Sequence, residues 1–131
     1  MELKRVVVTG LGAITPIGNT APETWAALLN GVSGAGPITQ FDASKFKTQF
    51  ACEVKGFDAS KHFDRKEARK YDRYAQLALV SATEAIEDAA LDLEKEDLNR
   101  IGVIFAAGIG GIRSFEDEVR DYNEERGPRF N

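Results

Sequence analysis

Two short runs of consecutive apolar residues punctuate the chain. Val6-Val7-Val8 lies between Arg5 and Thr9-Gly10, and Ile101-Gly102-Val103-Ile104-Phe105-Ala106-Ala107 runs into Gly108-Ile109-Gly110-Gly111. Apolar residues on successive rather than alternate positions predict strands covered on both faces, as in a parallel sheet. After the first run, Leu11 to Thr20 reads as a turn segment. A helix is predicted from about Pro22, capped by Thr20, with Trp25, Leu28 and Leu29 on its buried side and Gly31 at its end. Residues 32–63 contain Gly34, Gly36 and Pro37 and the scattered Phe41, Phe46, Phe50 and Phe57. They read as a compact loop region with one short strand around Gln49–Val54.

The clearest helix is predicted over Asp72 to Leu91. Ala75, Ala78, Ala82, Ala85, Ile86 and Ala89 recur at spacings of three and four and fall on one stripe. Small side chains on that stripe imply close packing against another element, with Glu84, Glu87 and Asp88 on the other face. An acidic stretch, Asp92–Asp97, precedes the second strand, and a polar helix is expected from roughly Ile112 to Glu125. Arg126 to Asn131 fit no element.

The order strand, helix, loop region, helix, strand, helix is an α/β pattern. Two buried strands make a poor sheet, because a sheet covered on both faces takes about 4–6. Either strands are hidden in residues 32–63, or residues 1–131 are the front portion of a longer protein whose later strands complete the sheet. The second reading is preferred.

Composition narrows the class. The 131 residues are 43 % hydrophobic and 29 % charged with a net charge of −4, which argues against intrinsic disorder. No apolar run approaches the roughly 20 residues of a spanning helix, so no membrane association is expected. An acidic balance disfavours general nucleic-acid binding. The apolar run at Val6 is too short for a secretory signal and Cys52 is the single cysteine, so a reducing cytoplasm is the expected compartment.

The chemistry-bearing residues are few. A dinucleotide fingerprint needs a third glycine, but Thr15 and Arg113 stand at those places after Gly10/Gly12 and Gly108/Gly110. A nucleotide-binding α/β domain is therefore set aside. His62, the only histidine, sits in a charged segment and reads as a solvated residue. Cys52 reads as a small core filler rather than a nucleophile. No metal cluster and no catalytic set can be assembled from these residues. One charge cluster stands out. Between Lys61 and Arg73, Lys61, Arg65, Lys66, Arg69, Lys70 and Arg73 outnumber Asp64, Glu67 and Asp72, a local +3 on an acidic chain. That is either a docking site for an acidic partner or a solvated stretch with internal ion pairs. Spacing alone does not separate the two.

Several motifs in order point further. They are Arg5-Val6-Val7-Val8-Thr9-Gly10-Leu11-Gly12, Thr15-Pro16-Ile17-Gly18-Asn19, Trp25 to Gly34, Phe41-Asp42-Ala43-Ser44, Phe50-Ala51, Val54-Lys55, Arg65 to Asp72 and Gly108-Ile109-Gly110-Gly111. Together they resemble the N-terminal part of a β-ketoacyl-[acyl-carrier-protein] synthase, most of all the type II elongation enzymes of bacterial fatty-acid synthesis. The resemblance implies the N-terminal portion of a thiolase-like α/β/α/β/α layered fold, with residues 1–131 an incomplete domain of a cytoplasmic homodimer.

It also implies the chemistry. An acyl chain passes from the phosphopantetheine of acyl carrier protein to a cysteine, malonyl-carrier protein is decarboxylated, and the carbanion attacks the thioester. The enzyme needs no cofactor of its own. In the family pattern the cysteine and two histidines lie beyond Asn131; Cys52 and His62 match none of them, so no catalytic residue is expected here and the chain alone should be inactive. Two regions do match. Lys66, Arg69 and Lys70 correspond to positions that contact acyl carrier protein, which favours the docking reading. Ile109, flanked by Gly108 and Gly110, corresponds to the residue that gates the acyl pocket. A noncatalytic condensing-fold subunit that binds acyl carrier protein is the alternative.

Overall fold

A computed structural model describes residues 3–124. The element order is α1 (Ala21–Leu29), β1 (Ala35–Pro37), β2 (Phe50–Cys52), α2 (Arg65–Ala68), α3 (Arg73–Asp88) and α4 (Ile112–Asn123), with 3-10 turns at Ala59–Lys61 and Leu98–Arg100. The chain forms two compact units. The first runs up to Phe57 and takes in Val80–Glu94, while Asp58–Leu79 and the chain from Lys95 onward form the second.

In the first unit, α1 starts where its cap dictates. The Thr20 hydroxyl accepts from the Glu23 amide at 3.2 Å, and Gly31 closes the helix with φ +64°. The amides of Gly31 and Val32 donate back to Leu28 and Ala27, the paired bonds of a Schellman end. β1 and β2 form an antiparallel ribbon with Gly36 opposite Ala51. β2 lies inside the predicted Gln49–Val54 strand. Its partner was not legible because Gly36 and Pro37 look like breakers, which edge strands tolerate.

The alanine stripe of α3 receives the turn after the first apolar run. A Cβ at Gly10 would collide with the Ala85 carbonyl, the Ala89 amide and the Ala89 methyl, and one at Gly12 with the Ser81 carbonyl and the Ala85 amide. Only glycine allows that approach. Two of the acidic residues placed on the other face of α3 bind backbone amides. Asp88 accepts from the Leu11 amide at 2.8 Å, and Glu84 accepts from the amides of Ala13 and Ala21, each at 2.8 Å. Carboxylates on one helix thus satisfy backbone donors of the turn and of the first residue of α1. The C-terminal end of α3 is a second Schellman motif, with Ala90 donating to Glu87 and Leu91 to Ile86, but here Ala90 sits at φ +50°.

The expected buried strands are corrected. Residues 5–10 and 101–107 lie outside every helix and strand, and their side chains are exposed, Ile104 at 96 %. An apolar run supplies side chains for a sheet, but its ladder partners must come from neighbouring strands, and none is present among the described residues. The apolar side of α1 is uncovered for the same reason, with Trp25 63 % exposed. Cys52 is exposed rather than a core filler, because it lies on the open face of the two-stranded ribbon, whose other face at Gly36 and Ala51 is half-buried. Among the described residues only Ala43 and Ala78 are buried hydrophobics. No described helix is long and apolar enough to cross a membrane. The predicted polar helix ends at Asn123, and Glu125 lies outside the described residues, as do Arg126–Asn131.

Candidate functional site

The second unit carries both regions singled out from the sequence. Asp64 begins α2, its carboxylate accepting from the amides of Lys66 and Glu67, both at 2.7 Å. Spacings of four then bring Arg65 toward Arg69 and Lys66 toward Lys70. The four side chains line one open groove of about 520 Å³. All four are exposed. Of the three acids of the segment, two are engaged elsewhere, Asp64 on backbone amides and Asp72 on the Ser114 hydroxyl. Among the described residues none of Lys66, Arg69 and Lys70 is held in an ion pair. For these three cations the alternative of internally paired charges does not hold.

The turn before the groove is well tied. Asp58 accepts from the Ser60 hydroxyl at 2.7 Å and from the Ser60 amide at 3.0 Å. Those bonds, the hydroxyl first, hold the Asp58 carboxyl below the usual carboxylate range, with a smaller contribution from Lys61. His62 is exposed and lies tilted against Phe63, their ring centroids 6.4 Å apart. Phe63 in turn meets Tyr71 at 6.0 Å.

Ile109 is 76 % exposed and lines a second cavity, of about 330 Å³, with Tyr71, Asp72, Tyr74 and the first turn of α4. The glycines on its two sides differ. Gly108 faces open space, whereas a Cβ on Gly110 would come within 2.7 Å of the Tyr74 ring. Gly111 takes φ +70° as the N-cap of α4 and offers no side chain to cap it. Asp72 accepts from the Ser114 hydroxyl in the first turn and lies against Gly111. Sequence reasoning named Asp72 only as a helix start, an acid of the charge cluster and the end of a motif, and did not single out Tyr74 or Gln76. Gln76 donates to the carbonyls of Ala68 at 2.8 Å and Tyr71 at 3.0 Å, fixing the loop after α2. The available signal was an acid at the start of a helix and a ring two residues later, which by itself means nothing until Gly110-Gly111 is brought alongside.

A family described as "Beta-ketoacyl synthase, N-terminal domain" matches residues 3–130. The chain belongs to this family. Its relatives include a 3-oxoacyl-[acyl-carrier-protein] synthase 2 from Synechocystis sp., 50 % identical over 118 residues, 90 % of this chain and 28 % of the relative. A protein of the same name from Staphylococcus aureus strain COL is 44 % identical over 126 residues, 96 % of this chain and 30 % of the relative. Among solved structures, a chain of the complex described as "type II PKS acyl-carrier protein in complex with its ketosynthase bound to the hexaketide" superposes with a TM-score of 0.71 and 27 % identity. That match covers 91 % of this chain and 31 % of the other.

The β-ketoacyl synthase chain described here thus spans less than a third of the curated relatives it matches. Its fold is α/β and corresponds to the N-terminal portion of the thiolase-like fold of the ketosynthases. The exposed apolar runs at residues 5–10 and 101–107 sit inside this family match.

Proposed function

We propose that residues 1–131 are the N-terminal part of a cytoplasmic, homodimeric 3-oxoacyl-[acyl-carrier-protein] synthase that elongates fatty acids. In that reaction the acyl thioester on the carrier's phosphopantetheine is exchanged onto an enzyme cysteine, releasing the carrier thiol. Malonyl-carrier protein loses carbon dioxide, and the carbanion left behind attacks the acyl-cysteine carbonyl. The new carbon–carbon bond forms as the cysteine thiolate leaves. These steps use no cofactor of the enzyme's own, and the nucleophile and its histidines belong to sequence beyond Asn131. The portion described here supplies two things: a docking surface at Lys66, Arg69 and Lys70, and the Gly108-Ile109-Gly110 wall of the acyl pocket.

The observation that carries the reading is the groove of unpaired cations on an acidic chain of this family. Free basic groups aimed outward steer an acidic partner and fix its register, and their removal acts on encounter more than on chemistry. Reversing all three charges (Lys66→Glu, Arg69→Glu, Lys70→Glu) in the whole protein is expected to raise the KM for acyl carrier protein about tenfold or more, equivalent to roughly 1.4 kcal/mol. The kcat at saturating carrier protein should stay within about twofold. An unchanged KM overturns the docking assignment.

A further inference from the structure

We propose that Asp72 is the positioning residue of the Ile109 wall: its carboxylate holds the Gly110–Ser114 turn, and so decides how Ile109 meets an acyl chain. The inference rests on the acyl-pocket reading of Ile109 and adds a residue that the resemblance does not supply. Three observations within the second unit carry it. First, α4 begins at a glycine with no side-chain cap, and Asp72, 42 residues earlier in the chain, accepts a hydrogen bond from the hydroxyl of Ser114 in its first turn. An anion at the N-terminal turn of a helix also meets the positive end of its dipole. Secondly, Asp72 and the Tyr74 ring occupy the space where side chains at Gly111 and Gly110 would stand, so this half of the turn is clamped on α3. Thirdly, a Cβ at Gly108 on the other side of Ile109 would meet nothing, so no such clamp acts on that half among the described residues. Ile109 therefore has its fixed side toward Gly110–Ser114, and Asp72 is the group that fixes it.

The clamp shares its base with the docking segment. Gln76, one helical turn beyond Asp72, ties down the carbonyls of Ala68 and Tyr71 that bracket Arg69 and Lys70. The cations that would meet the carrier and the turn that would meet its cargo are thus mounted on one end of α3.

The test is made in the whole protein with acyl carrier protein loaded with hexanoyl or myristoyl chains, reading the ratio of kcat for long over short. Asp72→Ala and Ser114→Ala are each expected to shift that ratio by fivefold or more in the same direction, with the KM for carrier protein within twofold. The double variant should go little further than either single one, because both remove one contact. Asp72→Asn, whose amide oxygen still accepts from Ser114, should return the ratio to within twofold of the parent. Equal loss of turnover for both chain lengths marks a merely structural role and overturns the inference, as does an unchanged ratio. Ile109→Phe is the control. If it shifts the ratio while the Asp72 and Ser114 variants do not, the positioning role fails and the acyl-pocket reading stands; if Ile109→Phe also leaves the ratio unchanged, both fail. Should Asp72→Ala not fold, Ser114→Ala decides alone.

Discussion

Glu84 does more than its place on a polar helix face suggests. One carboxylate satisfies two backbone donors, Ala13 in the glycine turn and Ala21 at the start of α1, and both bonds are charge-assisted. Truncating it leaves two part-buried amides to find water. Glu84→Ala is expected to destabilise the protein by about 2 kcal/mol, and Glu84→Gln, which keeps one carbonyl acceptor, by about half as much. Urea unfolding midpoints at constant slope measure both. Asp58 works in the same way on a smaller scale, and its Ser60 bonds make the contribution pH-dependent. A carboxyl held below its ordinary range stabilises the fold above about pH 4, where the unfolded group is also ionised, and loses that effect as pH falls through the native value. The side-chain carbon shift of Asp58, followed by NMR from pH 6 to 2, should titrate below that of a free aspartate. Asp58→Asn should remove that titration while leaving neutral-pH folding intact.

At the level of elements, the three longer helices and β2 were legible, and α2 and the other strands were not. Thr20, the Ala75 to Ala89 stripe and Gly31 mark helix faces and ends by local rules, which hold whatever the chain packs against. The runs at Val6 and Ile101 predicted strands that do not form, because a strand is a relation between segments, and among the described residues no ladder partner is present for them. β1 failed in the opposite sense. Ala35-Gly36-Pro37 has no strand signal of its own and pairs because β2 presents a matching edge. The site followed the same divide. The basic spacing of Lys66, Arg69 and Lys70 was visible, whereas Asp72 and Tyr74 acquire meaning only through residues some forty positions away. If residues 5–8 and 103–106 are sheet strands of a longer enzyme, their amides should exchange with deuterium over hours in the whole protein and within seconds in the 131-residue chain alone. Equal, fast exchange in both would show that these runs never join a sheet.

For the molecule as a whole, family membership and surface character converge. Val6, Trp25, Leu29, Val103, Ile104 and Phe105 are all more than half exposed, a distribution foreign to a finished globular surface and natural for a portion of a layered fold. Composition alone could not show this, because a chain with an ordinary apolar fraction can bury it or leave it bare. The two Schellman ends of the first unit make a last comparison. Gly31 reaches the left-handed conformation freely, while Ala90 is held there at φ +50° against its own Cβ. Ala90→Gly should relieve that strain and raise the melting temperature by a few degrees, an increment of about 0.5–1 kcal/mol after the added freedom of the unfolded chain is set against it. The molecule therefore holds an untapped margin at one methyl group, at the C-terminal end of α3 in the first unit.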